Sequence, residues 1–350
     1  MTPIKIGNKF LGERHPCIIS LEPGATFTNI EEAKEMIRFS ADAGADAIKF
    51  QTFLPGDADR IMGKKDIKID FTTAEGKKEE LVYDALKRRE LTSDEWKELV
   101  LYSKSNDLLF ITAPYFPETV DLLQEIQVDA IKVSKGDVNN VLLIEKIAKT
   151  NLPVIIDARE KFDDVMKDIQ ICENNQNNQI IIMHCPSGYP AKHSDVNLMA
   201  LQGIKEHYDY PVGFADHSEG GTMNYAAIAL GAKMIEKTIT IDKSIQQVEH
   251  YMSLELNELK TFVTNVRAVE DALGTSNVLQ TSRVNESARR SLVAKRNISK
   301  GEKISSELLD YRRPENMGIS VSKGFEVLNK IALQDIPQGT PLKFEMLGDC

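Results

Sequence analysis

The sequence predicts an α/β protein: a (β/α)8 (TIM) barrel followed by a small, mostly β domain. Short apolar runs rich in Ile and Val recur eight times, and each is followed by a longer segment with apolar residues three and four positions apart. The runs are apolar enough to be covered on both faces, as the strands of a parallel sheet are. The main alternative for the same alternation is an open, doubly wound sheet.

The predicted strands follow one another at intervals that leave room for a helix between them. The intervening segments begin near Ser, Thr, Asn or Pro, which are common at helix starts. The eight strands are "CIISL" (17–21), "DAIKFQ" (46–51), "LLFIT" (108–112), "DAIKV" (129–133), "PVIID" (153–157), "IIIMH" (180–184), "YPVGF" (210–214) and "KMIEKTI" (233–239).

Three segments fall outside this repeat. Residues 52–92 form a long polar insertion after the second strand, and on a barrel such a loop lies above the catalytic face as a possible lid. Residues 274–291 are polar without apolar periodicity and predict a linker after a barrel of residues 1–273. Residues 292–350 contain short strands and two "I-x-x-G" turns, which predict the second domain.

Composition excludes several classes of protein. The chain has 350 residues and a formal net charge of −10, and its 43 Lys and Arg residues are interspersed with acidic ones, so neither nucleic acid nor an anionic membrane is an expected partner. There is neither an apolar run of membrane-spanning length nor a signal-peptide pattern, which predicts a cytoplasmic protein. The four cysteines lack metal-type or CxxC spacing and are predicted to be reduced and structural.

Charged and polar residues gather where the predicted strands end. In a barrel those ends line one face, which is where active sites lie. A single charged residue there is usually part of a solvated rim, but the set together predicts a cationic pocket for an anionic substrate, with carboxylates and imidazoles to move protons or hold a metal. Its members are Glu22, Lys49, Gln51, Lys132, Lys135, Asp137, Arg159, His184, Tyr189, Asp216, His217 and Glu236.

Several blocks of the chain resemble, in order and spacing, those of the sialic acid synthase family, which includes the synthases of N-acetylneuraminic, legionaminic and pseudaminic acids. The blocks are "AGADAIKFQTF", "AIKVSKGDVNNVLLIEKIA", "IIMHCPSGYP", "VGFADHSEGG", "ALGAKMIEKTIT" and "VEHYMSLELNELKTFVTNVR". The C-terminal "SLVAKRNISKGEKISSELLDYRRPENMGIS" resembles the antifreeze-like (SAF) domain of those enzymes.

The resemblance implies a reaction. Phosphoenolpyruvate would condense with the open-chain aldehyde of an N-acyl hexosamine, giving a nine-carbon 2-keto-3-deoxy sugar acid and phosphate. It also implies a divalent metal, Mn²⁺ or Mg²⁺, and a domain-swapped homodimer in which the SAF domain of one subunit reaches the barrel mouth of the other.

The resemblance assigns the donor and proton-transfer roles by position. Lys49 and Lys132 match lysines that bind the carboxylate and phosphate of phosphoenolpyruvate, and Glu22 matches a candidate acid/base. His217, in "ADH", matches a metal-binding histidine. Thr238 stands where the family has its second metal-binding histidine, so Glu236 or Glu249 is the expected replacement, whose hard oxygen suits Mg²⁺ or Mn²⁺.

The acceptor roles follow in the same way. Asp137 matches a catalytic-site residue placed to contact the acceptor sugar. Tyr189 matches the tyrosine of the family's "NIYP" and Gln51 lies in its "K-x-Q", both as substrate-binding residues. His250 lies in a block near the barrel mouth, and Arg313 matches an arginine that reaches the N-acyl group from the partner subunit.

The chain departs from the family where phosphate-binding hydroxyls are expected. Ala113, Asp157 and Ala215 take three of these places, while Lys135 and Arg159 add cations nearby. A phosphate can be held by charge as well as by hydroxyl groups. Two alternatives remain open: a carbon–carbon bond-forming enzyme with another donor or no metal, and a catalytically dead homologue that binds a sugar acid.

Overall fold

The computed structural model describes residues 3–158, 161–274 and 288–350. The chain divides into two compact units, Met1–Leu273 and Gly274–Cys350. Arg159 and most of the predicted linker lie outside the described residues. No helix in the described parts of the chain is long and apolar enough to cross a membrane.

The first unit is a closed barrel of eight parallel strands. Each strand pairs with the next along the chain, and the eighth strand pairs with the first, with Met234 opposite Ile18, which completes the circle. The predicted barrel is therefore confirmed, and the open doubly wound sheet is wrong. The strands are β1 Ile18–Glu22, β2 Ala47–Gln51, β3 Leu109–Ala113, β4 Ala130–Val133, β5 Val154–Asp157, β6 Ile180–His184, β7 Val212–Asp216 and β8 Met234–Thr240.

Alternate residues of each strand face the barrel interior and the surrounding helices. Ile18 and Met183 belong to the small apolar cluster inside the barrel, whereas Ile19 and Phe214 belong to the large cluster between strands and helices. This alternation decides which side chains at the strand ends can enter a site within the barrel mouth.

Eight helices surround the strands, and all but the seventh are amphipathic, with their apolar faces buried against the barrel. Side-chain caps begin three of them: Asn29 accepts from the backbone N–H of Glu32, Asn140 accepts from that of Leu143, and Thr92 and Glu95 form a capping box. The helices are α1 Ile30–Asp42, α2 Ser93–Ser105, α3 Pro117–Glu125, α4 Val141–Ala148, α5 Phe162–Asn174, α6 Ala200–His207, α7 Thr222–Ala229 and α8 Leu259–Leu273.

An antiparallel hairpin, Ile4–Ile6 with Lys9–Leu11, precedes the barrel. Ile6 and Leu11 are fully buried in the apolar cluster that fills the barrel interior. The hairpin therefore closes the barrel at the end opposite the carboxyl ends of the strands, and leaves only the other end open for a ligand.

The insertion at residues 52–92 is structured. It contains the helices Asp57–Ile61 and Val82–Lys87 and the antiparallel strands Lys68–Thr73 and Gly76–Leu81. The backbone N–H of Thr72 donates to the carbonyl of Tyr189 in the loop after β6, at 2.9 Å. The hairpin is thus tied to the carboxyl-end face of the barrel.

The described part of the second unit contains short strands, as predicted, but also several short 3-10 turns and one short helix, so it is not mostly β. Strand Ser291–Ala294 pairs with Leu309–Arg312, and Ile331–Ala332 pairs with Leu347–Gly348, both antiparallel. Its core consists of buried aliphatic residues, among them Leu292, Ile304, Val327 and Leu342.

Candidate active site

A cavity of about 260 Å³ opens at the carboxyl ends of the barrel strands. Its floor is made by side chains from β1, β2, β4, β5 and β8, among them Asp157 at the end of β5. Its walls are made by the loops that follow β1, β3, β4, β6, β7 and β8 and by the insertion. This is the position in which (β/α)8 barrels carry their active sites.

Two lysine–glutamate pairs form the floor. Lys49 Nζ donates to Glu22 Oε1, and Lys132 Nζ donates to Glu236 Oε1 at 2.5 Å. Lys49 Nζ also lies 3.8 Å from Glu236 Oε1, so the four groups form one network. All four side chains are at most 5% exposed, and charges as deeply buried as these are retained when they are paired.

The two carboxyl groups differ in acidity. Burial raises the pKa of both, but at Glu22 the positive charges of Lys49 and Lys132 outweigh burial and hold the pKa well below its ordinary value. At Glu236 burial and the negative charge of Glu22 dominate, so its pKa is raised. Neighbouring carboxyl groups whose pKa values are pushed apart are suited to different acid and base roles.

Lys132 remains a cation. Burial lowers its pKa, but the negative charge of Glu236 outweighs burial and raises the pKa above the ordinary value for lysine. The ammonium group is therefore a fixed positive charge on the cavity floor.

Gln51 connects the floor to the wall. Its Nε2 lies 3.5 Å from Glu22 Oε1, and its Oε1 accepts from Tyr115 Oη and from Arg89 Nη1, each at 3.0 Å. Arg89 was not among the predicted site residues, because it lies in the polar insertion and nothing local in the sequence marks it as buried. Only the folding of the insertion over the barrel brings it here.

His217 and Tyr189 line another part of the wall, with their ring centroids 5.3 Å apart. His217 Nδ1 lies 3.3 Å from the carbonyl oxygen of Pro186 and 3.9 Å from Cys185 Sγ. A carbonyl can only accept, so this contact favours a proton on Nδ1 and leaves the lone pair on Nε2. Cys185 also lines the cavity and was not predicted to do so.

Lys135 and Asp137 lie in a short 3-10 turn, Lys135–Asp137, directly after β4. Lys135 is exposed and lines the cavity. Asp137 is buried beside the cavity and accepts from Asn140 Nδ2 at 2.9 Å, and burial raises its pKa. The turn thus presents Lys135, but not the Asp137 carboxyl group, to the cavity.

Two predicted substrate-binding residues at the strand ends, His184 and Asp216, do not line the cavity. His184 and Asp216 occupy outward-facing positions, and there His184 Nε2 contacts the carbonyl of Val196 at 2.7 Å. Asp216 pairs with Lys237 at 3.1 Å. Because strand side chains alternate, both are directed towards the helix layer, and their neighbours Cys185 and His217 face inward.

His250 is buried beyond β8, with Nδ1 2.8 Å from Thr240 Oγ1. Burial lowers its pKa to about 4, so it is neutral at pH 7. Arg313 lies in the second unit, exposed and directly after the strand Leu309–Arg312.

The donors for a metal are few. His217 offers Nε2, and within the described residues Glu236 Oε2 and Thr238 Oγ1 have no hydrogen-bond partner. However, the described residues contain no group of three or more His, Cys, Asp or Glu that could hold a metal ion. Three protein ligands are usual for a catalytic metal, so these donors do not build a metal centre by themselves.

Comparison with known proteins identifies relatives along the whole chain. The chain is 34% identical to the N,N'-diacetyllegionaminic acid synthase of Campylobacter jejuni, over 87% of this chain and 91% of that protein. It is 31% identical to the human N-acetylneuraminate-9-phosphate synthase, over 97% and 95%. The crystal structure of N-acetylneuraminic acid synthetase from Leptospira borgpetersenii in complex with citrate matches with a TM-score of 0.71 and 28% identity, over 81% of this chain and 94% of that one.

Two family models match in the order that the two units have along the chain. The SAF domain model matches residues 289–348. The NeuB family model matches residues 36–278, which is more than half of the chain and includes seven of the eight barrel strands. The chain therefore belongs to the NeuB family.

Proposed function

We propose that this protein condenses phosphoenolpyruvate with the aldehyde form of an N-acyl hexosamine, giving a nine-carbon 2-keto-3-deoxy sugar acid and phosphate. The observation that carries the proposal is the network of two buried lysine–glutamate pairs on the cavity floor. It combines fixed cations for an anionic donor with two carboxyl groups of different acidity.

In this proposal, lysine side chains in the cavity bind the donor, phosphoenolpyruvate. Lys49 and Lys132 project from neighbouring parts of the floor, and Lys135 stands above Lys132 on the turn after β4. A donor that carries a carboxylate and a phosphate needs several positive charges, and buried ammonium groups bind such oxyanions strongly because little water screens them. Lys135 takes the place of a hydroxyl as a phosphate ligand in this proposal.

The carboxyl groups are placed to move protons. C3 of phosphoenolpyruvate attacks the aldehyde carbon, and the aldehyde oxygen takes a proton, for which Glu236, with its raised pKa, is the candidate acid. Water then adds at C2, which carries positive charge, and loses a proton; ionised Glu22 is the candidate to stabilise that charge and accept the proton. The bond between C2 and the phosphate oxygen then breaks, the C2 hydroxyl gives its proton to the departing phosphate, and the 2-keto acid remains.

In this proposal, residues of the cavity wall bind the acceptor, the N-acyl hexosamine. Tyr189 and Gln51 offer hydrogen bonds, and Asp137 lies just behind the turn that carries Lys135. We further propose that Arg313 of one chain binds the N-acyl group in the cavity of a second copy, in a domain-swapped dimer. Its exposure on the second unit is compatible with that role.

The test is phosphate release by the purified full-length protein from phosphoenolpyruvate. The acceptors are N-acetylmannosamine, its 6-phosphate and diacetamido-trideoxyhexoses, each assayed with Mn²⁺, with Mg²⁺ and with EDTA. Release that depends on the acceptor supports the proposal. Release that EDTA abolishes assigns a metal to the reaction, and release that EDTA does not change favours the metal-free alternative. No release with any acceptor would contradict the proposed synthase.

A further inference from the structure

Arg89 is an unusual buried charge. Its side chain lies in the cavity wall and the residue is only 5% exposed, yet the acceptors of its hydrogen bonds are neutral. Nε donates to the carbonyl of Ala85 at 2.7 Å, and Nη1 donates to Gln51 Oε1 at 3.0 Å and to the carbonyl of Gly24 at 3.4 Å. The guanidinium carbon also lies 4.8 Å from the centre of the Phe53 ring.

Part of the guanidinium group has no protein partner. Among the described residues no acceptor lies at hydrogen-bond distance from Nη2, and no carboxylate forms an ion pair with Arg89. The nearest acidic influence is Glu249, whose Oε2 is bound to the backbone N–H of Ala25 at 2.6 Å. Burial lowers the pKa of Arg89, but an arginine side chain stays protonated in proteins.

The preceding residue provides a contrast. Arg88 belongs to the same turn but is held by both oxygens of Glu80, and it does not line the cavity. Buried arginines are nearly always paired as Arg88 is. The negative charge that would pair with the Arg89 guanidinium is therefore expected to come from a ligand in the cavity.

On the basis of the proposed condensation, we propose that Arg89 is a substrate-binding residue that receives an oxyanion, a carboxylate or phosphate carried by the donor or by the acceptor. The Nη2 of Arg89 would donate its N–H groups to the oxyanion, and its position in the cavity wall would select ligands that carry an oxyanion there. Gln51 and Phe53 hold the guanidinium in place, and Gln51 in turn contacts Glu22 on the floor. A ligand oxyanion at Arg89 is thus linked through one side chain to the proposed acid/base pair.

The experiment compares binding by calorimetry with full-length wild-type protein, Arg89→Gln, Arg89→Lys and Arg88→Gln. The probes are phosphoenolpyruvate, N-acetylmannosamine 6-phosphate and neutral N-acetylmannosamine. Arg89→Gln is expected to weaken binding of at least one anionic probe roughly ten- to hundredfold, the usual effect of losing a charged hydrogen bond. Arg89→Lys should recover part of the loss, and Arg88→Gln should bind all probes as the wild type does.

Which probe is affected identifies the source of the oxyanion. Weaker binding of phosphoenolpyruvate assigns it to the donor, and loss of the preference for the sugar phosphate over the neutral sugar assigns it to the acceptor. The proposal is wrong if the wild type binds neither anion, or if both Arg89 variants bind both anions as the wild type does. Arg89→Lys keeps the charge and serves as the test if Arg89→Gln does not fold.

Failure of this proposal and failure of the proposed function give different results. If the wild-type protein releases phosphate and Arg89→Gln binds the anions as the wild type does, the proposed synthase activity stands and the proposed role of Arg89 is wrong. If anion binding depends on Arg89 but no acceptor leads to phosphate release, the proposed role of Arg89 stands and the proposed synthase activity is wrong.

Discussion

Substitution Lys237→Met is predicted to be among the most destabilising single changes in the barrel. Lys237 Nζ and Asp216 Oδ2 are 3.1 Å apart, and both side chains are fully buried. Lys237 also donates to the carbonyl of Ser218, whose N–H and Oγ donate to Asp216 Oδ1 at 2.8 and 2.7 Å. The two hydrogen-bonded residues flank His217, so the cluster braces the loop that presents this ring to the cavity.

The expected size follows from the burial of the pair. Methionine fills the space of the lysine stem but leaves the Asp216 carboxylate buried without its cation, and breaking a buried pair in this way costs about 3–5 kcal/mol. For a unit of this size that corresponds to a fall in Tm of roughly 10 °C. The double variant Asp216→Asn/Lys237→Met should regain most of the loss, because the neutral amide can still accept the Ser218 N–H without needing a cation.

The assay is urea unfolding, followed by circular dichroism, together with thermal unfolding of the same variants. The matched control is Lys149→Met, which removes an exposed lysine 2.6 Å from Glu145 and should change the free energy of unfolding by less than about 0.5 kcal/mol. If Lys237→Met were as mild as Lys149→Met, or if the double variant were less stable than Lys237→Met, the reasoning from the buried pair would be refuted.

Three further predictions concern pH, chemistry and the second unit. Burial raises the pKa of Asp168 to about 7, so the contribution of this carboxyl group to the free energy of unfolding should fall as pH rises from about 4 to about 7, by less than about 4 kcal/mol. Urea unfolding of wild type and Asp168→Asn across that range should show this contribution as a difference in pH slope between the two proteins. Glu22→Gln should lower kcat at least about a hundredfold in the phosphate-release assay while the protein stays folded; a kcat near the wild-type value would exclude an acid/base role. Arg313→Ala should raise the KM for the acceptor sugar and leave Tm unchanged, whereas an unchanged KM would argue against its reaching a partner's cavity.

The sequence by itself determined the barrel and the chemistry of its mouth. Each strand and each helix is specified by a local pattern, and a closed parallel barrel places all eight carboxyl ends on one face. For that reason Glu22, Lys49, Lys132 and Glu236 could be predicted to meet, and the structure brings them into one network. The resemblance to a known family added the reaction, which neither periodicity nor charge could supply.

Only the tertiary structure decided which strand-end residues face the cavity. The strands are buried on both sides, so their sequences lack the alternation of apolar and polar residues that would distinguish inward from outward positions. Asp216 and His217 are adjacent in the sequence, and both could be expected to line the cavity. Asp216 pairs with Lys237 on the side of the helices, whereas His217 lines the cavity. Arg89 lies in the insertion, and its burial in the cavity wall depends on hydrogen bonds to Gly24 and Gln51, which are distant in the sequence. No local sequence pattern could therefore predict that burial.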